Sequence, residues 1–209
     1  MSERDRTAHG ARLEARDRQG GFTLIELMVA MGIFMVLVSI LLIATSQLAR
    51  GAVRVQVTAK STSEVLLVFQ NLDRQVRYSD AINAPGPGVS GDRYVEFRVP
   101  ASSAAEGVTT CVQWRFRPAD GTVQTRRWED GSAVAPTGWS TKLSNAVDRG
   151  TAGYPFARDL TSPRQQLLLA LDTGVPGVDG GTAIKTSFVA RNSVSTATSD
   201  VCPRAASRP

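Results

Sequence analysis

Hydrophobic and polar positions divide the chain into three stretches. Residues 1–21, MSERDRTAHGARLEARDRQGG, are polar and charged. Phe22 to Ala44 is an almost unbroken apolar run carrying one charge, Glu26. From Thr45 the pattern becomes amphipathic. Val53, Val57, Val65, Phe69, Leu72 and Val76 recur at spacings of three, four or a multiple of four, with Arg54, Lys60, Glu64, Asp73, Arg74 and Arg77 between them. Proline is absent from Phe22 to Asn83. The pattern predicts one helix from about residue 23 to 79, far longer than an ordinary globular helix. A membrane half joined to a half that packs on a sheet makes such a length reasonable.

The helix is expected to end near NAPGPGVSGD, residues 83–92. Gly86, Gly88 and Gly91 there fit G-x-G-x-x-G, but the loop follows a helix, contains Pro87 and opens no new helix. A connecting loop fits better than a dinucleotide site. Beyond it the period changes to two. RYVEFRV puts Val95, Phe97 and Val99 on one face, and TCVQWRF does the same with Val112, Trp114 and Phe116. Pro118-Ala119-Asp120-Gly121 is a turn signal before TVQTRRW, so residues 109–128 read as a hairpin. QQLLLAL and AIKTSFVA are later strands, joined by the loop DTGVPGVDGG. Trp114, Trp128 and Trp139 are read as core or sheet-packing residues.

The apolar run holds 23 residues, about 35 Å of helix at roughly 1.5 Å per residue, enough to cross a bilayer core. An ordinary secretory signal would have a shorter run followed by a small-x-small site; here Gly20 and Gly21 precede the run. A plain signal anchor explains the run but neither Gly-Gly-Phe nor the acid. Arg12, Arg16 and Arg18 before the helix, against Arg50 and Arg54 after it, slightly favour a cytoplasmic head. An ionised carboxylate so close to lipid is costly and asks for a partner.

Gly20-Gly21-Phe22-Thr23-Leu24-Ile25-Glu26 resembles the class III signal of type IV pilins and type II secretion pseudopilins. The resemblance implies a cut between Gly21 and Phe22 by prepilin peptidase, N-methylation of Phe22, and an assembly role for Glu26 opposite the N-terminal amine of a neighbouring subunit. The head is longer than many such leaders. The implied fold is α+β and type IV pilin-like, a long N-terminal helix packed on an antiparallel β-sheet. Residues 1–21 would be the cleaved cytoplasmic leader, 22–44 the transmembrane and assembly half of the helix, 45–80 its amphipathic half, and 81–209 an extracytoplasmic β-rich domain. NLDRQVRYSDAI and VQWRFRPADGTVQTRRW are similar, more loosely, to the minor pilin W and minor pseudopilin J group. The implied function is a minor subunit of a type IV pilus or type II secretion pseudopilus, acting in filament initiation, at the tip or in cargo contact. Its partners would be other pilin or pseudopilin subunits, the peptidase, the membrane assembly platform, lipid before assembly, and secreted cargo or DNA. It would be a single-pass protein of the cytoplasmic membrane, reaching the periplasm or cell surface when assembled.

Charge and chemistry modify this picture little. The net charge of +5 leaves +1 on the head, where five arginines meet four acids, and spreads +4 along the rest. A solvated basic face is the simpler reading. Arg115, Arg117, Arg126 and Arg127 are the densest pairs and motivate an alternative, a DNA-capturing tip subunit of a competence pilus. Two cysteines in an exported domain suggest a disulfide, whereas a cytosolic chain would keep them as thiols. With export implied, Cys111 is expected to pair with Cys202, from the strand face opposite Val112 and Trp114. Asp172 and Asp179 could contact calcium, but acids among glycines are more simply turn chemistry. The one histidine, His9, lies in the leader. The mature chain then lacks the residue needed for Ser-His-Asp or Cys-His catalysis, and no phosphate loop or C-x-x-C is present. No enzyme activity, cofactor or metal is expected.

Overall fold

The computed structural model describes residues 21–133, 135–150, 154–159, 161–175, 177, 180–194, 201–202 and 208–209. The charged head through Gly20, with His9, and Asp179 of the glycine loop lie outside them. The chain divides into two compact units, Met1–Leu48 and Ala49–Pro209. One helix, α1 (Leu24–Arg77), runs through the boundary.

Among the described residues of the first unit, nothing covers α1. Its large apolar side chains from Leu24 to Leu48 are 57–76% exposed wherever they are exposed, and this part is long and apolar enough to cross a membrane. Polar groups within it satisfy themselves: Ser39 Oγ donates to Met35 O at 2.7 Å and Thr45 Oγ1 to Leu41 O at 3.0 Å. A hydroxyl bonded back to the preceding turn leaves little unpaired polarity towards lipid.

In the second unit α1 buries Ser61, Val65, Val68, Leu72 and Val76, spaced four, three, four and four. The apolar pattern begins earlier than the packing does. Val53 remains 47% exposed and Val57 half-buried, because upstream of Ser61 the helix meets a glycine loop. There Gly181 N donates to Thr58 Oγ1 at 3.4 Å, and just past Ser61 Thr62 and Thr182 share a hydroxyl hydrogen bond of 2.8 Å.

Among the described residues the strands form two antiparallel sheets. The larger holds β1 (Ala81–Ile82), β3 (Arg93–Val99), β4 (Thr110–Arg117), β5 (Thr122–Glu129) and β6 (Ser140–Leu143) in that order, with β2 (Gly86–Pro87) also paired to β3. The smaller is β7 (Phe156–Asp159), β8 (Gln166–Asp172) and β9 (Ala183–Val189). The expected hairpin forms with Arg117 opposite Thr122. Its Gly121 has φ +63°, and a Cβ there would lie 2.6 Å from Ala146 O, so glycine is required twice over. One core joins the helix stripe to Val95, Phe97, Trp114 and Phe116 of the larger sheet and to Leu167, Leu169, Leu171 and Phe188 of the smaller. Trp114 Nε1 donates to Gln75 Oε1 at 2.9 Å, fixing the helix to the sheet by a polar contact as well.

The alternation read in β3 and β4 is present, but the opposite face is buried too. Tyr94, Glu96, Cys111 and Gln113 are all inaccessible. That face holds the Cys111–Cys202 disulfide, whose Cα atoms are 5.8 Å apart, beside Trp128. Asn83 holds Val201 by both backbone groups, donating to its O at 2.8 Å and accepting from its N at 3.1 Å.

Candidate functional site

The α1 N-terminus follows directly from local chemistry. Gly21, Phe22 and Thr23 are non-helical, and Leu24 is the first helical residue. Thr23 is the N-cap: its Oγ1 accepts from Glu26 N at 3.3 Å and its O from Leu27 N at 3.2 Å. Thr-x-x-Glu is the capping-box spacing, so the motif that resembles a processing signal is also a helix start signal. Glu26 sits in the first turn, where the helix dipole favours a carboxylate. Phe22 is 83% exposed, and the space around Gly21 is open. The arrangement places an exposed Gly-Phe peptide bond just outside a capped apolar helix, with one acid a single turn inside it.

The four arginines that suggested nucleic-acid contact do not form one surface. β4 and β5 register Gln113 opposite Arg126 and Arg115 opposite Gln124, which puts Arg115, Arg117 and Arg126 on the face away from α1. Arg127 is registered opposite Val112, on the other face. Each is engaged. Arg115 donates to Gln124 Oε1 at 2.8 and 2.6 Å and lies 3.4 Å from Asp92. Arg117 pairs with Asp120 at 2.9 Å. Arg126 Nε donates to Gln113 Oε1 at 2.6 Å, and burial pushes its guanidinium below the usual value. Arg127 pairs with Glu106 at 2.9 Å. Trp139 lies between two of them, its ring centroid 4.0 Å from the Arg115 guanidinium and 4.4 Å from that of Arg126.

Of the two acidic candidates, Asp172 lies among the described residues and is engaged. Asp172 accepts from Arg149 Nε at 2.6 Å, and a carboxylate neutralised by a guanidinium is a poor calcium ligand. Cys111, Asp130 and Cys202 bring potential metal-ligand atoms together, but the disulfide uses both sulfurs. Sequence reasoning passed over Thr23 as a cap, although its spacing to Glu26 signals one. It also passed over Glu96 and Arg208, whose ion pair at 2.5 Å joins residues more than a hundred apart with no local pattern.

Residues 16–42 match the family model described as the prokaryotic N-terminal methylation motif. The match supports a type IV pilin-like prepilin signal, and with the apolar helix it supports a membrane-anchored, single-pass precursor. No curated protein and no solved structure matches the chain.

Proposed function

We propose that this protein is a minor pilin or minor pseudopilin: a non-catalytic subunit cut after Gly21, N-methylated on Phe22 and assembled into a filament through α1. The methylation motif over residues 16–42, ending inside a capped, uncovered apolar helix that carries Glu26, is the observation that supports it. Residues 1–21 are the leader on this reading, 22–44 the membrane and assembly half of the helix, 45–80 its amphipathic half, and 81–209 the displayed domain. Glu26 registers the subunit by facing the N-terminal amine of a neighbour, since two charges in an apolar bundle are tolerable only as a pair. The force for assembly comes from other components.

The engagement of Arg115, Arg117, Arg126 and Arg127 with their neighbours favours a structural subunit over a DNA-capturing one. Mass spectrometry of the mature N-terminus, with and without prepilin peptidase, tests the proposal. N-methyl-Phe22 is the expected terminus; a terminus at Met1 in cells with active peptidase would overturn it. Glu26→Ala should leave membrane insertion intact and reduce filament incorporation, and normal incorporation would remove Glu26 from its role.

A further inference from the structure

Gly86 and Gly88 of the Gly86-x-Gly88-x-x-Gly91 segment have a use that a plain connecting loop does not require. A Cβ on Gly86 would lie 2.9 Å from Arg208 Nη1, and one on Gly88 would lie 2.6 Å from Tyr94, 2.8 Å from Pro209 O and 3.1 Å from Arg208 Cβ. The strand has been cleared of side chains where Arg208 and Pro209 lie against it. Opposite stands Glu96, completely buried on β3. Arg208 meets it with two donors, Nε to Oε1 at 3.0 Å and Nη2 to Oε2 at 2.5 Å, and Nη2 also donates to Ala84 O at 2.9 Å. Gln113 Nε2 supplies a further donor to Glu96 Oε1 at 2.7 Å, and Arg126 holds Gln113 in place. The main chain of the dipeptide is read as well. Val89 N donates to Arg208 O at 3.3 Å, and Ser90 Oγ and Tyr94 Oη donate to Pro209 O at 2.7 and 2.8 Å.

We propose that Glu96, Gln113, Tyr94 and the Gly86–Ser90 backbone form a receptor for an arginine–proline dipeptide, filled here by Arg208–Pro209 and open to a protein partner presenting the same dipeptide in an extended segment. A buried carboxylate with paired oxygens selects the guanidinium fork over an ammonium. The remaining contacts go to Arg208 O and Pro209 O, which a separate peptide carrying the same dipeptide also offers, so nothing in the recognition requires that the dipeptide belong to the same chain. Emptying the site leaves a buried carboxylate short of its cation, which is why a replacement guanidinium is taken up.

The test uses the full chain in detergent with residues 203–209 removed and the Cys111–Cys202 bridge intact. A fluorescent peptide of sequence PRAASRP is titrated in and its anisotropy followed. Saturable binding is expected, weakened about ten-fold or more when the peptide's penultimate arginine becomes alanine, and similarly weakened against the intact chain, whose own segment competes. Equal binding of the two peptides, or binding of neither, overturns the proposal. Thermal unfolding of point variants tests the pairing without truncation. Arg208→Ala should lower the Tm, and in a Glu96→Gln background the drop should shrink to roughly half or less, because a neutral amide needs no counter-charge. Equal drops in the two backgrounds overturn the pairing on which the receptor rests.

Discussion

Replacing both Cys111 and Cys202 by alanine should remove much of the stability of the second unit. The two residues are 91 apart in sequence. Cross-linking a loop of that length restricts the unfolded chain by about 4.6 kcal/mol on the chain-entropy relation. Both sulfurs also belong to a small buried cluster with Trp128, and emptying that site adds on the order of 1 kcal/mol. Total stabilities of domains lie at roughly 5–15 kcal/mol, so such a loss is a large share. Urea unfolding of the full chain in detergent, followed by tryptophan fluorescence, reads the effect. The midpoint should fall, and the m-value should rise, because the freed chain exposes more surface when unfolded. A loss below about 1 kcal/mol with an unchanged m-value would refute the reasoning: the bridge would then not be what limits the unfolded ensemble.

Leu72→Ala, at a wholly buried position on the helix stripe, should cost about 2–5 kcal/mol in the same assay, and a cost under 1 kcal/mol would mean that the helix–sheet seam repacks freely. Gly181 has φ +135°, and a Cβ there would lie 2.0 Å from Thr173 O. Gly181→Ala should therefore destabilise by roughly 1–3 kcal/mol from backbone strain alone, and a neutral result would show that the loop is not held in this form. The Arg93 guanidinium, 2.6 Å away, holds the Asp148 carboxyl below its usual value with help from Gly150 N. The folded value lies below the unfolded one, so this stabilisation is present above pH about 4 and is lost as pH falls through the folded value. Asp148→Asn should flatten the acid limb of the stability profile, and an unaltered limb would remove the pair from that role. Thr23→Ala should free the Glu26 amide, visible as faster hydrogen exchange at the start of α1, with a loss of about 0.5–2 kcal/mol in helix stability; unchanged exchange would show that Thr23 is not the cap.

The helix and the long strands were legible because each repeats one period over enough residues. A helix expected over about 23–79 is found at Leu24–Arg77, and RYVEFRV is β3 residue for residue. The short strands were not. Ala81–Ile82, Gly86–Pro87, Ser140–Leu143 and Phe156–Asp159 are too brief to display alternation, and they form because a neighbouring edge is available to pair with. Division into two sheets was hidden for the same reason: β8 and β9 read as strands, but no local signal says which sheet takes them. The burial of Glu96 could not be read either. A glutamate in an alternating strand signals the solvent side, and here a residue 112 positions later supplies the charge that permits burial.

The Thr23 cap links the glycine before the helix to the acid within it. A helix that ran back through residues 21 and 22 would enclose the Gly21–Phe22 peptide bond in its first turn. Gly21 disfavours that extension by roughly 1 kcal/mol, and the Thr23 cap closes the helix on the far side of the bond. The bond is thus left in open backbone, the form in which a peptidase can reach it. Glu26 then has two roles at different times on the reading proposed above. In the lone subunit its charge lies in the first turn of α1, where the dipole offsets part of the cost of a carboxylate near lipid. That offset falls short of neutralisation, which needs a cation, and cutting the Gly21–Phe22 bond creates one at Phe22. On that reading the acid and Gly21 belong to one device: the cut after the glycine makes the amine that the acid faces.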